Sequence, residues 1–120
     1  METYIPVITK ASCRKIRLSE VLYIEQQQRR LAIVTEDRTF LCYEKIDNIE
    51  KFLDDRFFHP LKKLFVNIEK IISVENQCIT FENNVMIHFG RSSFIKTKQV
   101  YCTYLKGMYD DSQNQKKSDA

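Results

Sequence analysis

The chain has 120 residues, which is the size of one domain and leaves no room for a second of ordinary size. Hydrophobic residues make up 43% and charged residues 29% of the chain, a balance that is typical of folded globular proteins and excludes an intrinsically disordered one. The formal net charge of +3 is compatible with a polyanionic partner, although many proteins that bind none carry as much.

The first part of the chain is dominated by apolar residues that alternate with polar ones. This period of two appears around residues 15–18 and continues over 21–26, 30–35 and 38–43. It is typical of short β-strands, and Glu36-Asp37 between two of these segments indicates a hairpin. Neighbouring strands are therefore expected to pair antiparallel.

Residues 45–54 depart from this period, because Ile46, Ile49 and Phe52 recur at a helical spacing and predict a short helix. A second group of strands follows the helix. These strands are predicted over residues 71–75, 77–82 and 85–89 and form a meander, with Asn76 and Asn83-Asn84 as turn residues that tolerate left-handed backbone.

The chain ends in a predicted helix and a polar tail. Over residues 92–106, Phe94, Tyr101 and Leu105 form one apolar stripe, and Gly107 is the expected stop. Residues 107–120 are almost free of apolar side chains and are predicted to be a disordered tail. The folded domain is thus expected over residues 1–106, as a mainly β fold of small antiparallel sheets with one or two peripheral helices.

Several classes of enzyme and cofactor site are excluded by composition. The chain has two glycines, Gly90 and Gly107, whereas phosphate-cradling loops need several close together. The two histidines and four cysteines do not form the spacings of a zinc site. The adjacent Asp54 and Asp55 precede Arg56 and are better explained as surface charges than as a paired acid and base. We therefore expect neither an enzyme nor a bound cofactor or metal.

The cysteine pattern and the hydropathy indicate a reduced, cytoplasmic protein. No apolar signal segment begins the chain, and the four cysteines all lie in apolar-patterned segments, where they are expected to be buried. The longest apolar runs have four residues, such as residues 21–24, whereas a transmembrane helix needs about 20. No membrane association is expected.

Basic residues occur in four clusters. They are Arg14, Lys15 and Arg17; Arg29 and Arg30; Lys62 and Lys63; and Arg91, Lys96 and Lys98. Each cluster taken alone is more often a solvated loop than a phosphate contact, and their number indicates a nucleic-acid surface only if the fold brings them together.

The segment 54–71 carries the most specific resemblance to a known family. Phe57-Phe58 begin a strand that leads through the basic Lys62-Lys63 to Val66-Asn67, and this order resembles the signature of LytTR (LytR/AlgR-type) DNA-binding domains. Flanking segments that also resemble the family lie over residues 21–25, 46–53, 79–84 and 87–91. The similarity covers residues 5–106.

The resemblance implies an elongated stack of small antiparallel sheets that binds double-stranded DNA through loops rather than through a recognition helix. In this family the loops enter successive major grooves at paired direct repeats of bacterial promoters, which suggests two copies of the protein on DNA. The implied function is sequence-specific transcription regulation.

Carried over by position, the implied DNA-binding residues are Gln28, Arg29 and Arg30 in a first loop, Lys62 and Lys63 in a second, and Arg91 in a third. Arg91 and one of Arg29 or Arg30 can each present a planar fork to guanine O6 and N7, whereas the two lysines suit phosphate oxygens. Asn67 is expected to be structural, with its side chain bonded to backbone groups at the turn that follows Val66.

The second loop departs from the family pattern. Where members usually carry Arg-x-His-basic-Ser, this chain has His59, Leu61, Lys62 and Lys63, and Gly90 replaces the serine that commonly precedes the last arginine. An alternative function is therefore a protein-interaction module that has lost specific DNA binding. The receiver or membrane segment of many family regulators does not fit in 120 residues, so a stand-alone regulator is expected, controlled by its abundance or by a partner protein.

Overall fold

The computed structural model describes the backbone of residues 3–118 and the side chains of residues 3–110. Its strands are β1 (Tyr4–Ile8), β2 (Cys13–Arg17), β3 (Val21–Gln27), β4 (Arg30–Thr35), β5 (Thr39–Cys42), β6 (Phe57–Leu61), β7 (Leu64–Asn67), β8 (Ile71–Glu75), β9 (Cys78–Phe81) and β10 (Met86–His88). The α-helix is α1 (Arg91–Ser118), and single 3-10 turns span Leu18–Glu20, Ile46–Asn48, Glu50–Phe52 and Ile68–Lys70.

The largest sheet has five strands in the order β5-β4-β3-β7-β6, and every neighbouring pair is antiparallel. The predicted hairpin at Glu36-Asp37 is confirmed, with the Thr35 backbone N–H donating to the Arg38 carbonyl over 2.8 Å. The chain leaves this sheet after β5 and returns with β6, so that β7 lies beside the central β3.

Two smaller sheets flank the large one. β1 and β2 form a hairpin, and β8, β9 and β10 form the predicted meander. Asn76 and Asn84 have φ angles of 54° and 69°, as expected for the turns between these strands. The prediction of small antiparallel sheets is thus confirmed.

Each face of the large sheet supports its own core. Alternation along β4 sends Leu31 and Ile33 into a cluster with the β1–β2 hairpin, and Val34 into a cluster with the meander and α1. In the second cluster, the rings of Tyr23 and Phe81 stack with centroids 5.3 Å apart and join the large sheet to the meander. The three sheets are therefore stacked, with the five-stranded sheet in the middle.

The short helix predicted over residues 45–54 is present as two successive 3-10 turns, Ile46–Asn48 and Glu50–Phe52, rather than as one α-helix. Ile46 and Ile49 are buried, as the helical spacing required. The backbone of Leu53 is extended, with ψ 152°, and ends the second turn. Ten residues are below the length at which an α-helix is stable without strong caps, and Lys45 at the N-cap makes no capping bond. Core contacts therefore hold the segment in short turns.

The C-terminal helix is confirmed over its predicted range, but Gly107 does not stop it. α1 continues through Gly107 to Ser118, since one glycine in a helix costs only about 1 kcal/mol relative to alanine and no proline follows. The described backbone of residues 107–118 is thus helical, which differs from the predicted end of the helix, whereas residues 119 and 120 lie outside the described residues. That residues 107–120 form a unit separate from the domain stays a prediction.

The molecule is elongated. Its principal extents are 58 × 37 × 24 Å and its radius of gyration is 16.0 Å, whereas a compact chain of this length has about 14 Å. This agrees with a stack of small sheets.

The four cysteines are free, and the prediction that all are buried is correct for Cys42 and Cys78 only. Cys13 and Cys102 are exposed because they lie on the outward sides of β2 and α1.

Candidate nucleic-acid interface

The first predicted loop is a two-residue turn between β3 and β4. Gln28 adopts a left-handed φ of 58°, which a two-residue hairpin requires. The Gln26 side chain stabilises the turn, since its Nε2 donates to the carbonyls of Gln28 and Arg30 over 3.1 and 3.0 Å. The side chains of Gln28, Arg29 and Arg30 remain exposed.

Gln26 also joins this turn to the segment after β5. Its Oε1 accepts from the Ile46 backbone N–H over 2.7 Å, and its Nε2 also lies 3.1 Å from the Glu44 carbonyl. Sequence reasoning missed this residue. Its chain neighbours Glu25 and Gln27 are also polar, so the local pattern did not single it out.

The second predicted loop is the Lys62-Lys63 turn between β6 and β7. His59 Nε2 donates to the Lys62 carbonyl over 2.8 Å, and the His59 ring stacks on Phe65 with centroids 4.1 Å apart. Both lysine side chains are exposed. His59 therefore stabilises the conformation of the loop.

The first two loops are brought together by the pairing of β3 with β7. The Gln26 backbone N–H, near the end of β3, donates to the Lys63 carbonyl over 2.9 Å, which ties the second turn to the strand that leads into the first. Gln28, Arg29, Lys62 and Lys63 line one open depression of about 380 Å³. Two of the basic clusters thus converge on one surface.

Arg91 lies apart from this surface. It is the exposed first residue of α1, directly after the meander, and the Gly90 carbonyl begins the helix by accepting from the Phe94 N–H over 2.9 Å. Arg91 does not line the depression shared by the first two loops. Its position relative to them is fixed through the packing of the meander on the large sheet.

The predicted DNA-contacting cations are unpaired. Among the residues with described side chains, ion pairs are made by Arg17, Arg56 and Lys70, and by none of the five cations that are Arg29, Arg30, Lys62, Lys63 and Arg91. Unpaired exposed cations retain their full attraction for a polyanion.

Two acidic residues, Glu44 and Asp47, share the depression with the first two loops. Glu44 is engaged locally: its carboxylate accepts from Asn48 Nδ2 over 2.7 Å and from the Lys45 N–H over 2.9 Å. These hydrogen bonds, Asn48 first, lower the pKa of Glu44. The carboxylate is thus held against its own segment.

Asn67 and Tyr101 have structural roles, because both are buried and bonded to backbone groups. Asn67 is fully buried, its Oδ1 accepts from the Glu69 N–H over 3.0 Å and its Nδ2 donates to the Val21 carbonyl over 2.8 Å. Tyr101 is buried on α1, and its hydroxyl donates to the Ile71 carbonyl over 2.8 Å.

Asp54 pairs with Arg56 over 2.9 Å at the surface, as expected for solvated charges. No group of three metal-ligating side chains occurs within the described residues. In the same part of the chain, no helix is long and apolar enough to cross a membrane.

Comparison with known proteins identifies the family. Residues 11–109 match the family described as the LytTr DNA-binding domain, which is a family of DNA-binding domains rather than of enzymes. The fold is similar to that of the LytTr DNA-binding domain of a Bacillus cereus protein described as a methyl-accepting/DNA response regulator, with a TM-score of 0.63 and 16% identity over 91% of this chain and 98% of that one. No curated protein sequence matches the chain. Because the family match runs over most of the chain, the resemblance inferred from the sequence is confirmed, and the protein belongs to the LytTr DNA-binding domain family.

Proposed function

We propose that the protein binds double-stranded DNA sequence-specifically and regulates transcription in the bacterial cytoplasm, with its loops in successive major grooves at paired direct repeats. The observation that carries this proposal is that the first two loops lie side by side, held by the hydrogen bond from the Gln26 N–H to the Lys63 carbonyl. Arg29, Lys62 and Lys63 therefore line one depression, and none of the three forms an ion pair within the described side chains. A rigid, cationic and unpaired surface is what a phosphate backbone attracts.

Within this proposal the side chains divide by chemistry. Arg91 and one of Arg29 or Arg30 present guanidinium forks to guanine in the major groove, and Gln28 can donate to and accept from a base edge. Lys62 and Lys63 are point charges on flexible stems and contact phosphates. Two copies occupy the two repeats, and activity is set by abundance or by a partner protein.

The decisive experiment is selection from a randomised duplex pool at two salt concentrations. Enrichment of spaced repeats, with an affinity that falls as salt rises, is the expected result. Salt-sensitive binding without enrichment would contradict sequence specificity, and no binding by a folded sample would contradict the proposal as a whole.

Two substitutions test the site. Arg91→Ala should relax the preference for one sequence at a cost of about 1–3 kcal/mol on the preferred duplex. Lys62→Ala should weaken all duplexes about equally and reduce the salt slope by about one. Lys106→Ala, which removes an exposed lysine from α1, is the matched control. If Arg91→Ala and Lys62→Ala both bind like the parent and the control, the assignment of the loops is wrong.

The second candidate function is a protein-interaction module. It is favoured by the second loop, where the His59 ring is stacked on Phe65 and bonded to the loop carbonyl and therefore is not directed to a base. Such a module need not lose affinity steeply with salt, which separates it from a DNA binder in the same titration.

A further inference from the structure

Beside the first loop lies a second surface that the site residues do not include. It is an open depression of about 500 Å³ between the β1–β2 turn and the end of β5, lined by Ile8, Lys10, Arg30, Leu41 and Tyr43 among others. Arg30 and Tyr43 also line a neighbouring depression together with Gln28 and Arg29. The two depressions thus meet at Arg30 and Tyr43. Together they extend the surface of the first loop towards the β1–β2 turn.

The charge of this surface is of one sign. The residues that line the two depressions include the cations Lys10, Arg29 and Arg30 and no aspartate or glutamate. The depression between the first two loops, in contrast, contains Glu44 and Asp47. The side of Tyr43 that faces Lys10 and Arg30 is therefore more uniformly cationic than the depression that joins the predicted loops. On its other side, Tyr43 borders a depression that contains both Glu44 and Lys51.

Tyr43 is placed for contact with a partner. Its side chain is 81% exposed directly after β5, while the preceding Cys42 is buried. Among the residues with described side chains, none is hydrogen-bonded to its hydroxyl. Nearby, Ile8 and Leu41 are exposed at 73% and 42%, so an apolar floor lies between cationic edges.

Lys10 is held in place by its turn. The Thr9 N–H donates to the Ser12 carbonyl over 2.8 Å, and Thr9 Oγ1 accepts from the Ser12 N–H over 3.1 Å. These bonds satisfy the backbone and leave the exposed Lys10 at the tip, where its amine has no partner within the described side chains. An ordered turn loses less entropy on binding than a free loop would.

We infer that Lys10 and Tyr43 form a further DNA contact, one that binds the sugar-phosphate backbone flanking the site read by the first loop. The lysine and the tyrosine hydroxyl can donate to phosphate oxygens, and the apolar floor fits the deoxyribose between them. This inference rests on the proposed function, because it extends the same surface by one element, the β1–β2 hairpin.

The test measures the affinity of Lys10→Ala and Tyr43→Ala for the duplex selected from the random pool, over a series of salt concentrations. Lys106→Ala and Tyr109→Ala are matched controls, since both remove an exposed side chain of the same type from α1. Circular dichroism and thermal melting establish that each variant is folded.

Lys10→Ala should weaken binding about eightfold at 0.1 M salt and lower the salt slope by about one, equally for the selected duplex and for one of mixed sequence. Tyr43→Ala should weaken binding about two- to tenfold. Hydroxyl-radical footprints should lose protection on one flank, with the central protection retained.

The outcomes separate this inference from the proposed function. If the parent binds the selected duplex and both variants match their controls, the flanking contact is refuted while the DNA-binding function stands. If the parent binds no duplex, the proposed function fails, and this inference fails with it. If Arg91→Ala relaxes specificity while Lys10→Ala changes only affinity and salt slope, both are supported.

Discussion

Replacing Asn67 with alanine should destabilise the domain more than any change at its exposed amides. The Asn67 side chain is fully buried and joins the end of β7 to the start of β3 through the Val21 carbonyl, while its Oδ1 caps the following turn at the Glu69 N–H. Alanine removes both of these short bonds, together with a longer contact of 3.5 Å from Nδ2 to the Leu18 carbonyl, and leaves the Val21 carbonyl facing a side chain that cannot donate.

The size of the loss follows from these two contacts. A buried acceptor left without its donor costs about 1–3 kcal/mol, and loss of a capping acceptor costs about 1 kcal/mol. The free energy of unfolding should therefore fall by about 2–4 kcal/mol. With an unfolding entropy of about 0.25 kcal/mol/K for a chain of this length, the melting temperature should fall by about 8–16 °C.

Urea denaturation followed by circular dichroism measures the change directly. Asn48→Ala, which removes an exposed amide bonded to Glu44, should cost less than about 1 kcal/mol and serves as the control. Asn67→Asp keeps the capping acceptor but directs an anion at the Val21 carbonyl, so it should destabilise at neutral pH at least as much as alanine does. A loss below about 0.5 kcal/mol for Asn67→Ala would refute this account of the joint.

The other predictions concern α1 and the acid range. Tyr101→Phe removes the bond to the Ile71 carbonyl and should cost about 1–2 kcal/mol in the same urea assay; an unchanged midpoint would contradict it. Gly107→Ala should stabilise α1 by up to about 1 kcal/mol, because a Cβ there meets no atom within 4 Å; a drop in helical ellipticity would count against this. The hydrogen bond from Lys70 lowers the pKa of Glu36 below its ordinary 4.5, so this contact stabilises the fold above that pH and is lost as the pH falls through the lowered value. Lys70→Met should flatten that part of the acid dependence of the melting temperature, and an unaltered profile would argue against the contact.

The strands that the sequence predicts best are those with one face in a core and the other in solvent. The outer strands of the meander, β8 and β10, follow this rule, and Asn76 and Asn84 mark the turns because asparagine tolerates left-handed backbone. In β4, by contrast, residues 31–35 are all buried, because each face of the strand packs in a core. β7 does not alternate, since all four of its residues are buried between two neighbouring strands and both cores. Only the family resemblance located it.

The site was predictable in part for a similar reason. Charge and family position selected the cations in the two turns, and the structure brings these turns together. Gln26 was missed because its role depends on the Glu44 carbonyl and the Ile46 N–H, which lie 18 and 20 residues away in the chain. Lys10 and Tyr43 were missed because nothing in their local sequence shows that the β1–β2 turn and the end of β5 line one depression.

The stacking of Tyr23 on Phe81 has a consequence for evolution of the binding site. On the proposed assignment, Arg91 begins α1 directly after the meander, whereas the first two loops belong to the large sheet. The meander and α1 pack on the large sheet through apolar side chains. The distance between Arg91 and the first two loops is then set by the volume of the core residues that lie between the meander and the large sheet. Substitutions among these core residues would change the spacing between the recognised bases while every DNA-contacting side chain stays the same.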